Sequence, residues 1–345
     1  MKMSKFVVIA LLASMCLALL GNSASAAQFP LSFTTHDPIT SQQTRLQQKW
    51  ADSIKEKSGG RIEITIFPSG SLASAVDALD AVKTGAADMG WLYTSFFPGQ
   101  FPIVDAITLP LLGVETAPQG TYALWDMYEY SEALRNDLAA NGLKMLMLYN
   151  NPSNLIGTHS KPVYTVDDMK GLKLRAPAGT ATEMVKAWGG VPIMMGPGDV
   201  YQSLEKGVLD GYVFEYTGIE SFKLPEVTKH YTEVRFYVGP FLVMMNQSKF
   251  DSLPEDLRKI IEEESGKATS LELSAAFETD YRASREKIIA GGGNVIAITG
   301  DSLAAFQKEP DIYAQKWVEE RKTAAFDAQD YLTKLKEAIK KYEGK

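Results

Sequence analysis

The sequence predicts a two-lobed α/β protein. Residues 28 to 93 alternate strand and helix patterns as β-α-β-α-β, and the same alternation returns about 110 residues later. A Gly-x-x-Asp step, Gly85 to Asp88 and Gly207 to Asp210, closes a helix and opens a strand at matching places in the two runs. Glycine supplies the left-handed residue that ends a helix, and aspartate suits the tight entry to the next strand.

The first element is not expected to belong to the fold. Lys2 and Lys5 precede an apolar run, Phe6 to Leu20, that is too short to span a bilayer comfortably, and Ala24-Ser25-Ala26 gives the small-x-small pattern of a cleavage site. Residues 1–26 therefore read as a secretory signal peptide cut near Ala26/Ala27. Met15 stands before Cys16 where a lipoprotein signal needs a small residue, so no lipid anchor is expected. Losing Lys2 and Lys5 takes the formal charge from -7 to about -9.

"FPLSFTTHDP" opens the remaining chain as a strand ending in a polar loop. "SQQTRLQQKWADSIKEKSGG" repeats Leu46, Trp50 and Ile54 every four residues, an amphipathic helix stopped by Gly59-Gly60. "RIEITIFPSGSL" alternates as a strand and breaks at Pro68, Ser69 and Gly70; "AVDALDAVKTG" is a helix and "ADMGWLY" a strand. In the second run "KGLKLRAPAG", "VPIMMG" and the end of "GDVYQSLEKGVLDGYVFEY" are strands separated by helices. "VRFYVGPFLVMMN" reads as a long apolar strand interrupted at Gly239-Pro240, a crossing between lobes. Ser252-x-x-Glu255 with Pro254 is expected to cap one long helix, weakened at Gly266, and 311–345 a terminal helix. The expected division is 27–152 with 238–280 in lobe I and 153–237 with 281–310 in lobe II.

Composition narrows the function. The acidic balance speaks against nucleic acid, and without Cys16 no disulfide or thiol nucleophile is available. There is no G-x-S-x-G elbow, Walker loop or G-x-G-x-x-G, and His36, His159 and His230 lack metal-ligand spacing. No catalytic constellation can be assembled. Open α/β sheets bind ligands beyond the carboxyl ends of their strands, and two-lobed proteins bind them between the lobes. Those strand ends are Thr34, Thr35 and His36; Ser69 and Gly70; Trp91, Tyr93 and Thr94; Arg175; Met195 and Gly196; and Glu215 and Tyr216. Asn150, Asn151 or Asn154 could hold a second polar end of a ligand. Arg175, followed by a turn of little bulk, is the expected anchor for an anion.

The blocks "SGGRIEITIFPSGSL", "DALDAVKTGAADMGW", "PGQFPIVDAITLP", "DDMKGLKLRAPAG", "VYQSLEKGVLDG" and "FLVMMNQSKFDSLPEDLRK" extend over the chain after the leader. In their order and spacing the sequence resembles the DctP-type solute receptors of tripartite ATP-independent periplasmic (TRAP) transporters. The resemblance implies a periplasmic, Venus-flytrap receptor with hinge strands and a long connecting helix. It implies capture of a small organic acid, mono- or dicarboxylate, and delivery to small DctQ-type and large DctM-type membrane subunits. The family arginine that forks onto the ligand carboxylate falls on Arg175. Where sialic-acid-type members carry a second arginine, this chain has Leu155. Members for 2-oxo acids and lactate use Glu-Trp at a bound cation; Glu215-Tyr216 is a partial match, and a sodium or calcium ion held by Glu215 is the corresponding expectation. No other cofactor is expected. A receptor feeding a sensor kinase is the alternative among binding proteins, and a periplasmic hydrolase or lyase the alternative among enzymes.

Overall fold

The computed structural model describes residues 27–308 and 310–345, so the expected signal peptide lies outside the described residues. Strands β1 (Phe29–Thr34), β2 (Ile62–Phe67), β3 (Met89–Tyr93) and β4 (Leu143–Asn150) join β10 (Pro240–Asn246) in the order β2-β1-β3-β10-β4. A second sheet takes β5 (Leu155–Thr158), β6 (Lys173–Arg175), β7 (Val191–Ile193), β8 (Gly211–Phe214), β9 (His230–Glu233) and β11 (Asn294–Ala297) in the order β11-β9-β5-β8-β6-β7. Each sheet has a parallel trio, β2-β1-β3 and β8-β6-β7, matching the two repeated runs.

Local sequence explains the elements. In β2, Ile62 and Ile64 are buried while Glu63 and Thr65 face solvent, the period of two that a half-covered strand requires. Ser41 caps the helix Gln42–Lys57, accepting the Thr44 N–H, and Trp50 and Ile54 turn into the first core. In β8, Tyr212 and Val213 enter separate apolar clusters on opposite faces of the second sheet. The repeated Asp does more than tolerate a tight turn. Asp88 Oδ2 accepts the Ser32 N–H at 2.8 Å, and Asp210 Oδ2 accepts the Lys173 N–H at 2.8 Å. In each sheet it pins the neighbouring parallel strand, so the motif fixes the register that aims β1 and β6 at the cleft.

The connections differ from the sequence reading in three places. Residues 234–239 belong to no sheet, with Arg235 in the left-handed region at φ +52°, and β10 begins only at Pro240, a proline at the first strand position where no ladder donor is lost. This crossing is instead tied to the other one: Asn151 N–H donates to Gly239 O at 3.0 Å, Asn154 N–H to Tyr237 O at 3.0 Å, and Gly239 N–H to Asn151 Oδ1 at 2.6 Å. The helix begun at Glu255 ends at Glu263, and a new one, Gly266–Ala290, starts at Gly266 with φ +80°. Ser252 does not cap the first of these; its hydroxyl donates to Lys249 O. The 25-residue second helix packs on β4 and on helix Ala117–Tyr130 at one end and on helix Tyr216–Ser221 at the other, so it spans both lobes. Finally, the terminal segment forms two helices, Pro310–Arg321 and Ala328–Lys341. The second packs on Ala117–Tyr130, with Lys341 paired to Asp126.

Candidate ligand-binding site

The carboxyl ends of β1, β3, β6 and β8 converge between the lobes, where the crossing segments and the spanning helix close a cavity of about 30 Å³. That volume is room for roughly two waters. The lobes touch beside it: Ala178 N–H donates to Ser95 O at 3.0 Å, and the Thr108 and Thr180 hydroxyls lie 3.0 Å apart.

One wall is a stack of rings. Phe241 stands opposite Tyr93 in the β3–β10 ladder and lies between the rings of Trp91, at 4.3 Å, and Tyr93, at 4.7 Å. His36 stacks on Trp91 at 4.7 Å. Burial first, and then the Arg175 charge, pull His36 down to about 3, so its ring is neutral. Phe96 and Phe277 add apolar surface, and the Tyr93 and Tyr237 hydroxyls share a hydrogen bond of 2.8 Å.

Arg175 comes from the other lobe. It ends β6, beside Tyr212 of β8, and is only 3% exposed. Its Nε donates to Met195 O at 3.2 Å and its Nη1 to Val213 O at 3.0 Å, while Phe214 stacks on the guanidinium at 4.7 Å. Among the described residues Nη2 has no hydrogen-bond partner and no carboxylate pairs with the group. Burial pulls the guanidinium down to about 10, yet it remains a cation at neutral pH.

Two carboxyls line the same cavity. Burial pushes Glu215 up to about 8, against the pull of the Gly218 amide. Both its oxygens accept that N–H, at 2.9 and 2.8 Å, making Glu215 the N-cap of helix Tyr216–Ser221. Burial likewise pushes Asp37 up to about 7, with the Ser41 hydroxyl opposing. A calcium ion takes roughly six to eight oxygens. No grouping of three or more His, Cys, Asp or Glu suited to a metal exists among the described residues.

Of the strand-end residues named from sequence, Arg175, Trp91, Tyr93, His36 and Glu215 line the cavity together, with Asn151 and Asn154. Five others do not. Thr35 is buried with its hydroxyl unpartnered, away from the cavity. Ser69 is exposed, and its N–H supports Asp37 O. Asn150 is turned toward Gly120, where an added Cβ would lie 2.4 Å from its Nδ2. Gly196 sits at the seam facing Ala75, and Tyr216 donates its hydroxyl to Glu233 at 2.9 Å. Sequence reasoning missed Asp37, Phe96, Phe214, Thr217, Tyr237, Phe241 and Phe277.

The family described as "Bacterial extracellular solute-binding protein, family 7" (DctP) matches residues 34–321. The chain belongs to this family. It is a TRAP transporter solute-binding receptor, and its relatives are binding proteins rather than enzymes. A solute-binding protein of Chromohalobacter salexigens is 27% identical over 317 residues, covering 91% of this chain and 92% of the relative. A TRAP solute-binding protein from an unidentified marine microbe, specific for aromatic acid ligands, superposes with a TM-score of 0.84 at 26% identity, covering 91% and 99% of the two chains. One from Rhodoferax ferrireducens, in complex with copurified benzoate, gives a TM-score of 0.83 at 27% identity, covering 91% and 98%. In this receptor no helix among the described residues is long and apolar enough to cross a membrane.

Proposed function

We propose that this receptor captures a small organic acid by forking Arg175 onto its carboxylate and delivers it to a membrane permease of DctQ-type and DctM-type subunits. The observation that carries the reading is the state of Arg175, a desolvated guanidinium lining a cavity and lacking an anionic partner among the described residues. A buried charge is costly until paired, and a carboxylate matches the planar fork. One guanidinium against a wall of stacked rings suits a carboxylate with a flat apolar body, so an aromatic monocarboxylate is the favoured class. The aromatic acid and benzoate ligands of the two structural relatives support that choice. Mass spectrometry of the acid released from freshly purified protein tests it: a released sugar or peptide without a carboxylate would sink the reading.

Capture into so small a cavity requires the lobes to part. The ligand, touching Arg175 on one side and the ring stack on the other, then favours closure by its differential affinity. Solution scattering is expected to show a smaller radius of gyration with saturating ligand than without. An unchanged profile would contradict closure. Export is part of the same proposal, with cleavage before Ala27 and no lipid; N-terminal sequencing of periplasmic protein checks it, and a chain retaining Phe6 to Leu20 would count against it.

A further inference from the structure

Two polar groups in the cavity have no task in holding a carboxylate. Asp37, 6% exposed, has the Ser41 hydroxyl as a partner, and its Oδ1 stands 3.8 Å from His36 Nε2, too far for a hydrogen bond. Thr217, 2% exposed, has a buried hydroxyl with no hydrogen-bond partner among the described residues. Both line the same cavity as Arg175, Asp37 from the loop after β1 and Thr217 from the helix after β8. A buried carboxyl with a single hydroxyl partner is short of donors, and a buried hydroxyl without a partner forfeits its solvation. Glu215 fills neither need: both its oxygens turn to the one Gly218 N–H, and neither bonds Asp37 or the Thr217 hydroxyl.

We infer that the ligand carries a hydrogen-bond donor, a hydroxyl or an ammonium, in addition to its carboxylate, and that Asp37 and Thr217 read this donor from the two lobes. The inference rests on the carboxylate reading above and adds the second half of the recognition. Arg175 accounts for charge, and the ring stack accounts for shape. Asp37 lies across the cleft from Arg175, so a donor bound to it ties the first lobe to the ligand as Arg175 ties the second. Burial holds the Asp37 carboxyl up at about 7, the mark of an acid short of donors, which a ligand hydroxyl or ammonium would relieve.

The test uses the full mature receptor and four probes: phenylacetate, mandelate, phenylglycine and 3-hydroxyphenylacetate. The first lacks a donor, and the others add a hydroxyl or an ammonium to the same skeleton. Calorimetry is expected to show at least one donor-bearing probe binding roughly 10- to 100-fold more tightly than phenylacetate, the range of a hydrogen bond to a charged group. Asp37→Asn and Thr217→Val should each shrink that ratio, and using two variants on different lobes guards against one failing to fold. Preference for phenylglycine assigns the donor as ammonium, and preference for a hydroxylated probe assigns it as hydroxyl. If phenylacetate matches the best probe within threefold, the inference fails while the carboxylate reading stands, provided that binding still requires Arg175. If none of the four binds, the aromatic-carboxylate reading fails and this inference with it.

Discussion

Arg175→Ala is expected to weaken ligand binding by about two to three and a half powers of ten. Removing one member of a buried charge pair costs roughly 3–5 kcal/mol, because the remaining charge is left uncompensated. The site magnifies this, since the guanidinium is 3% exposed and water cannot take its place cheaply. Arg175→Lys keeps the charge but loses the planar fork, and the two bonds to Met195 O and Val213 O hold a guanidinium geometry that an ammonium cannot reproduce. It should remain substantially impaired. The ligand-free fold should survive Arg175→Ala: two carbonyls lose a donor, but a desolvated cation without a counter-ion is removed as well. Calorimetry with the identified acid, alongside thermal unfolding without it, separates these effects. Binding of Arg175→Ala within threefold of wild type would show that the anchor lies elsewhere.

The sequence made the lobes legible because their cause is local. Alternation in "RIEITIF" and the helix repeat Leu46, Trp50, Ile54 need no long-range information, and each Gly-x-x-Asp marks a helix end by itself. Arg175, Trp91 and Tyr93 were legible for a related reason: a strand end in a parallel sheet is a fixed place in the fold. The failures come from what a single residue of offset does. Asn150 is the last residue of β4 and turns toward helix Ala117–Tyr130, while Asn151, one step on, has left the strand and faces the cavity. Tyr216 likewise points away from its neighbour Glu215, because the helix begins between them. Phe277 was out of reach, one position in a helix of 25 residues whose rotation is set by packing on both lobes. Tyr237 and Phe241 were hidden inside an apolar run that reads as one long strand interrupted at Gly239-Pro240; in the fold Tyr237 lies in the segment 234–239 outside any sheet, and Phe241 reaches the site from β10, opposite Tyr93.

The ligand-free receptor is expected to lose stability as pH rises from about 5 to about 8, and Glu215→Gln should flatten that loss. Burial raises Glu215 to about 8, and Asp37 and Asp105 each to about 7. A carboxyl raised in the folded state holds its proton where the unfolded chain has already released it. Its contribution is therefore complete below the unfolded value, near 4, and disappears as pH climbs through the folded one. His36 works the other way. Its folded value is depressed to about 3, so the unfolded chain takes up a proton below about 6.5 and stability falls as pH drops from there. These carboxyls, joined by Asp137, which burial raises to about 6, and by Asp280, also raised by burial, outweigh one histidine between pH 5 and 6.5, and above 6.5 the histidine drops out, leaving the decline unopposed. The acids held low by lysines, such as Glu264 and Glu220, titrate below this window. For Glu215 alone the shift corresponds to on the order of 4 kcal/mol across the window. Glutamine keeps an oxygen for the Gly218 N–H and has no charge to desolvate. Glu215→Gln should consequently match wild type at pH 5 and exceed it at pH 8, measured by denaturant titration without ligand. A wild-type stability that stays level or rises from pH 6.5 to 8 would mean that Glu215 and Asp37 already have cationic partners in the ligand-free state, most directly Arg175 itself, and that the cavity is not the unpaired electrostatic site described here.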